Sequence, residues 1–244
     1  MKASSPSNDW MLCKVADLLI EVPAVGGMTS RCREYLTDET GSADIVIRAD
    51  LYKSDRFEYP NENMMAYIES GGQFCTQLLN FNGLYLHSSA IEWEGKAYLF
   101  SGPSGMGKST HTRLWQSIYP DAQVFNDDKP ALRRLDDRWF AYGTPWCGKD
   151  GININMKVPI AGICFLRRGK DNAIRRLSPL EASVQVISQT MRRFKSEERL
   201  DLLLSHVDKL VREIPVYELY CTPTADAARL SSETMRRGAE EVFL

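Results

Sequence analysis

The sequence lacks most of what would mark a membrane, secreted or nucleic-acid-binding protein. Its longest apolar runs fall far short of the roughly 18 residues that a membrane span needs, so no membrane partner is expected. Lys and Arg total 30 against 32 Asp and Glu, a net charge of −2. That leaves no basic field to draw in nucleic acid or an anionic bilayer. The six cysteines, at 13, 32, 75, 147, 164 and 221, show no metal-ligand spacing, and a chain of 244 residues needs no staples. Reduced thiols in the cytoplasm are the expectation. The opening "MKASSPSNDW" has no apolar h-region and does not read as a secretory signal. Residues 1–9 are expected to form a disordered tail. There is no internal repeat and no low-complexity tract.

What is present is ordinary globular composition, 43% hydrophobic and 25% charged. It suits one domain over residues 10–244, with 10–83 as an N-terminal subregion. Residues 10–22 are apolar and β-rich. Residues 42–50, "SADIVIRAD", alternate as a half-buried strand does, with Ile45 and Ile47 on one face and Val46 out of pattern. Residues 63–82 have helical spacing around an internal Gly-Gly, for one or two helices. Two strands are expected at 84–93 and 97–101, joined by Glu94-Gly95. A helix follows from Lys108 to about residue 117, then a strand at 122–128 ending in acids. Residues 131–143 read as a hairpin turning at Asp136-Asp137, 143–151 as a loop and 160–168 as a buried strand. Ser178, Pro179 and Glu181 open a helix with a capping box. An amphipathic helix at 196–214, a strand at 216–221 and a helix at 223–243 complete the chain. The class is α/β, a mixed sheet with flanking helices.

The strongest chemical signal is Gly102-Pro103-Ser104-Gly105-Met106-Gly107-Lys108-Ser109, a full match to G-x-x-x-x-G-K-[ST]. Glycines let backbone N–H groups turn inward around phosphate oxygens. The helix that starts at the end of the loop adds the positive end of its dipole. Lys108 supplies a point charge for the β- and γ-phosphates, and the Ser109 hydroxyl a ligand for Mg²⁺. An apolar strand precedes the loop and a helix follows it, as the motif requires.

The kind of phosphate-loop protein is read partly from further absences. No N-K-x-D segment is present for reading guanine, and no apolar run ends in the Asp-Glu of a motor ATPase. The nearest acids downstream are Asp127 and Asp128 in "VFNDDKP". Two adjacent carboxylates can divide the work, one holding Mg²⁺ and one accepting a proton from an attacking hydroxyl. Neighbours on a strand point to opposite faces, so both roles require the chain to bend there.

The stretch "LHSSAIEWEGKAYLFSGPSGMGKSTHTRLW" followed by "QVFNDDKP" resembles the catalytic domain of the HPr serine kinase/phosphorylase family, a relative of the ATP-dependent phosphoenolpyruvate carboxykinases. It is most similar to stand-alone HPr-kinase-like proteins of ribosomal peptide clusters, including kinases of lasso-peptide precursors. The likeness is concentrated in residues 84–130 and weaker through 143–168. The resemblance implies that fold for residues 10–244. It implies ATP and Mg²⁺ held by Gly102, Ser104, Gly105, Met106, Gly107, Lys108, Ser109 and Thr110, with Ser109 and Asp128 at the metal. It further implies Asp127 as proton acceptor, His87 beside the phosphates and carboxylates, and Lys149 steadying the transferring phosphate. Thr110 stands where the family usually has Glu, and the family's N-terminal domain and C-terminal signature are not recognisable.

Other candidates carry less. His87, on its expected strand, would alone read as a core residue. His111 and His206 fall on amphipathic helices and read as packing. Trp146 either covers a ligand or anchors its loop, and Cys147 reads as structural. The paired arginines at 133–134, 167–168, 192–193 and 236–237 read as solvated surface. The function expected is a kinase whose acceptor is a Ser or Thr hydroxyl on a peptide or small protein, such as a ribosomally made precursor. A kinase for free serine or another metabolite, and a non-catalytic nucleotide-binding partner protein, are the alternatives. The resemblance also implies a homo-oligomer.

Overall fold

A computed structural model of the chain describes residues 10–51, 58–190 and 196–242. The expected tail at 1–9, the pair Arg192-Arg193 and the last residue of the expected 223–243 helix lie outside these residues. The elements run β1 (Trp10–Val15), β2 (Leu18–Pro23), α1 (Met28–Arg31), β3 (Ile45–Val46), α2 (Glu62–Leu78), β4 (Gly83–Tyr85), β5 (Ser88–Trp93), β6 (Lys96–Ser101), α3 (Lys108–Ile118), β7 (Gln123–Asp128), β8 (Ala131–Leu135), β9 (Arg138–Tyr142), β10 (Lys157–Arg168), β11 (Ala173–Arg176), α4 (Pro179–Gln189), α5 (Glu197–Glu213), β12 (Val216–Cys221) and α6 (Ala225–Val242). The class is the mixed α/β expected.

The main sheet runs β4-β8-β9-β10-β6-β5-β7, and β12 with β11 is added on the other side of β10. β10 is its hinge. Residues 157–159 pair antiparallel with β9, while the rest of the strand lies parallel between β6 and β12, with a register shift between Ile160 and Gly162. Continuous apolar sequence suits this position, because a strand with neighbours on both sides and covered faces has no polar side to show. Apolar residues of α4 and α5 close one cluster on the sheet, and those of α3 and α6 another.

The N-terminal hairpin turns at Ala16 and Asp17, both at positive φ, as a two-residue primed turn requires. β3 adds only two residues, parallel to β2. Ile45 and Ile47 are buried and Val46 is exposed, as their alternation predicts. α2 passes straight through Gly71-Gly72, because Gly71 lies against the Trp146 ring. A Cβ there would come within 2.9 Å of it. These elements share one apolar cluster with Ala131, Tyr142 and Trp146 of the main body. Arg133 ties the two regions further, donating to the carbonyls of Ala16 and Phe81.

Three expectations need correction. Arg133 is not solvated surface but buried. The expected strand 84–93 is two strands. The chain leaves the edge of the antiparallel sheet at Tyr85 and joins β6 and β7 from Ser88. His87 therefore sits in the link, not on a strand. β11 was not expected, since three of its four residues are partly or fully exposed arginine and alanine. The capping box at Ser178 and Glu181 and the hairpin turn at Asp136-Asp137, both at positive φ, are present as expected.

Candidate active site

The phosphate loop joins β6 to α3 and opens into a cleft of roughly 960 Å³. Gly105 and Gly107 sit at φ 76° and 101°, angles that a side chain would strain. Ser104, Gly105, Gly107, Lys108, Ser109 and Thr110 line the cleft. Gly102 and Met106 lie behind it. The Gly102 carbonyl accepts from Lys108 Nζ at 3.1 Å, and Met106 packs on the apolar cluster under the loop. Lys108 is buried. Burial lowers its pKa, against the pull of the Asp128 and Asp127 charges.

β7 brings the two aspartates to the opposite side of the loop. Asp127 Oδ2 accepts the Ser109 hydroxyl at 2.8 Å, the contact that joins the loop to β7. Asp128 has φ 111°, a value almost confined to glycine. Holding it there costs about 1–3 kcal/mol. This is the bend that two useful neighbouring carboxylates require. It is fixed by a bridge from Asp128 to Cys147 and by Gly148 N–H donating to the Asp127 carbonyl at 2.6 Å.

Asp128 is the centre of a network. His87 Nε2 lies 3.2 Å from its Oδ1, and Tyr67 Oη and Lys129 Nζ each donate to its Oδ2 at 2.6 Å. Burial alone would raise the carboxyl's pKa. The His87 bond, the Lys129 ammonium and the Tyr67 hydroxyl outweigh it and hold the group far below the usual carboxylate range. The Tyr67 hydroxyl is pushed up in turn, by burial and then by the Asp128 charge. His87 is held at its backbone, where its N–H donates to the Gln189 carbonyl and its carbonyl accepts the Ser101 hydroxyl.

The remaining candidates are placed as follows. Lys149 lies exposed on the cleft rim and makes no hydrogen bond or ion pair among the described residues. Trp146 is an anchor, not a cover. It is buried, stacks on Phe74 at 4.4 Å between centroids and donates to Ser70. Cys147 is buried, burial raises the pKa of its thiol, and its Sγ accepts from Arg31 Nη1. His111 is buried against Ser231 and Phe100, and burial lowers its pKa to about 4. His206 bonds the Leu79 carbonyl. Ser88 and Ser89 are buried and bonded to Leu86 and Thr112.

A family model described as "SynChlorMet cassette protein ScmC" matches residues 58–226, more than half of the chain. The chain belongs to this ScmC family. No curated protein matches it. Among solved structures, it is similar to one titled "Structure of the Hpr(Ser) kinase/phosphatase from Coxiella burnetii". The likeness has 11% identity over 64% of this chain and 90% of that one, with a TM-score of 0.36. The span shared with ScmC takes in the phosphate loop, both aspartates, His87, Tyr67 and the Cys147–Lys149 turn. It leaves out Arg31, which lines the same cleft.

Sequence alone did not point to Tyr67 and Arg31, which line the cleft, or to Lys129, which braces Asp128 and Tyr67. Tyr67 carried one usable signal. It shares a helical face with Ser70 and Phe74, so a polar atom rides on an otherwise apolar stripe. Arg31 carried none, since it ends a four-residue helix in a stretch without periodicity. Among the described residues no helix is long and apolar enough to cross a membrane.

Proposed function

We propose that the chain is an ATP- and Mg²⁺-dependent phosphotransferase that moves a γ-phosphate to a Ser or Thr hydroxyl of a peptide or small protein. One observation carries this reading: the phosphate loop and the aspartate pair of β7 line a single cleft, joined by the Ser109–Asp127 bond. A pure nucleotide binder needs no second carboxylate facing the loop.

The roles follow from how each group is held. Lys108 and the loop amides take the β- and γ-phosphates. Ser109 and the Asp128 carboxylate offer oxygen donors, which suit Mg²⁺; few protein ligands are needed because phosphate and water complete its shell. When bound, that cation offsets charge on the phosphate oxygens. Asp128 fits this place because its neighbours keep it ionised, and the same depression makes it a poor proton acceptor. Among the described residues the Asp127 side chain accepts the Ser109 hydroxyl alone, and the role of proton acceptor for the attacking hydroxyl falls to it. His87 orients Asp128, and Lys149 reaches the moving phosphate from the rim. The family name describes a cassette protein. A precursor peptide made by the same cassette is the acceptor class this favours.

The test is transfer from ATP, with Mg²⁺, to candidate precursor peptides and free serine, followed by intact mass. The expected result is one added phosphate, lost in Asp127→Asn and Lys108→Ala. Tight ATP binding with no transfer, unchanged in Asp127→Asn, sinks the reading in favour of a nucleotide-binding partner protein.

A further inference from the structure

Arg31 has no part in the reaction as drawn, yet it stands beside it. The cleft wall facing the phosphate loop is built from the turn before α1, α1 itself and the start of α2, and Arg31 is the only charged residue it contributes to the lining among the described residues. The side chain is held in place. Nη1 donates to the Cys147 carbonyl at 2.8 Å and to its Sγ at 3.0 Å, and the guanidinium lies 4.7 Å from the centre of the Tyr67 ring. Both supports touch Asp128: the Tyr67 hydroxyl bonds its carboxylate and Cys147 bridges its backbone.

This half-buried cation has no carboxylate partner among the described residues. Its hydrogen bonds all run through Nη1, and Nε–H and Nη2 make none among the described residues. The acids around it are engaged elsewhere. Asp128 is held by Lys129 and His87, Asp150 pairs with Arg113, and Asp127 accepts from Ser109. A partly desolvated charge is normally compensated, and the cleft that Arg31 lines has room for a ligand that brings an anion to it. That anion is not the nucleotide's phosphates, for which the opposite wall has its own lysine and amides. A planar guanidinium with two adjacent donors free fits a carboxylate in a bidentate grip.

Building on the kinase reading, we infer that Arg31 receives a carboxylate carried by the acceptor close to its reacting hydroxyl. The acceptor is then an acid-flanked hydroxyl compound. The carboxylate has two possible sources, an Asp or Glu near a serine in a peptide, or the α-carboxylate of a free hydroxy amino acid.

The experiment uses two matched pairs with saturating Mg²⁺ and ATP. One pair is serine peptides flanked by Asp and Glu or by Asn and Gln; the other is L-serine and L-serinamide. Wild type, Arg31→Gln and Arg31→Lys are compared by initial rate. In wild type the acid member of one pair is expected to be used at least about tenfold better in kcat/KM, and that pair identifies the source. Arg31→Gln should erase the preference mainly by raising the acceptor's KM, and Arg31→Lys should keep part of it. The KM for ATP should not follow. Equal use of acid and amide by wild type, or an acid preference that survives Arg31→Gln, overturns this inference and leaves the kinase reading standing. No transfer to any of the four overturns both.

Discussion

The two walls of the cleft are built from different materials. The phosphate-loop wall is largely backbone, drawn from one continuous stretch, with glycines where φ must be positive. The facing wall is side chains from remote positions, Arg31 and Tyr67, braced by Lys129 and by the turn at Cys147. A site made of backbone shows itself in glycine spacing. A site made of side chains exists only once the chain has folded, and in the proposed kinase it is the wall that would meet the acceptor.

The difference can be broken first at Lys108. Lys108→Ala should lower phosphate transfer by about 10³-fold or more. Burial lowers the lysine's pKa, so below that lowered value the ammonium is charged in both states and costs the fold stability. The melting temperature should therefore hold or rise; a clear drop would mean that the loop needs this side chain to form. Trp146→Ala should do the reverse on the other wall. Losing a buried ring stacked on Phe74 should reduce stability by about 3–5 kcal/mol in urea unfolding. A loss below about 1 kcal/mol would show that α2 docks without it.

Lys149→Ala sharpens the contrast from the rim. It should slow transfer by about tenfold, in kcat more than in KM, if the lysine meets charge that grows in the transition state. An equal rate would leave Lys149 as surface. Tyr67→Phe should have the smallest effect, a few-fold in rate, and is best read against pH. Asp128 has a depressed pKa in the fold, so its stabilising contribution is full above about pH 4, the ordinary Asp value, and is lost as pH falls through the folded value. Removing the Tyr67 donor raises the folded value. Less stability is then contributed at neutral pH, and acid unfolding should begin at higher pH than in wild type. Coincident acid transitions would show that His87 and Lys129 suffice.

Much of the fold was legible wherever local pattern and tertiary role agree. The loop and α3, the acids ending β7, the turn at Asp136-Asp137 and the cap at Ser178 all stand where local chemistry puts them. The break at His87 was not legible. Residues 84–93 contain no breaker, and the chain divides there because two sheets compete for its ends. Trp146 could be read as cover or anchor until Phe74 and Gly71 were seen against it. Arg31 was silent because its meaning lies in partners such as Cys147, far along the chain.

The shared strand β10 has a consequence for the order of folding. It places Ile160 beside Ala97 and Ile163 beside Val216, so neither sheet closes without contacts between distant parts of the chain. Such topologies fold slowly, since loop-closure entropy is spent before the pairing repays it. The helix ends and turns can form early. The cleft, which needs Arg31, Tyr67, Asp128 and Cys147 to meet around that strand's neighbours, is among the last parts to take shape.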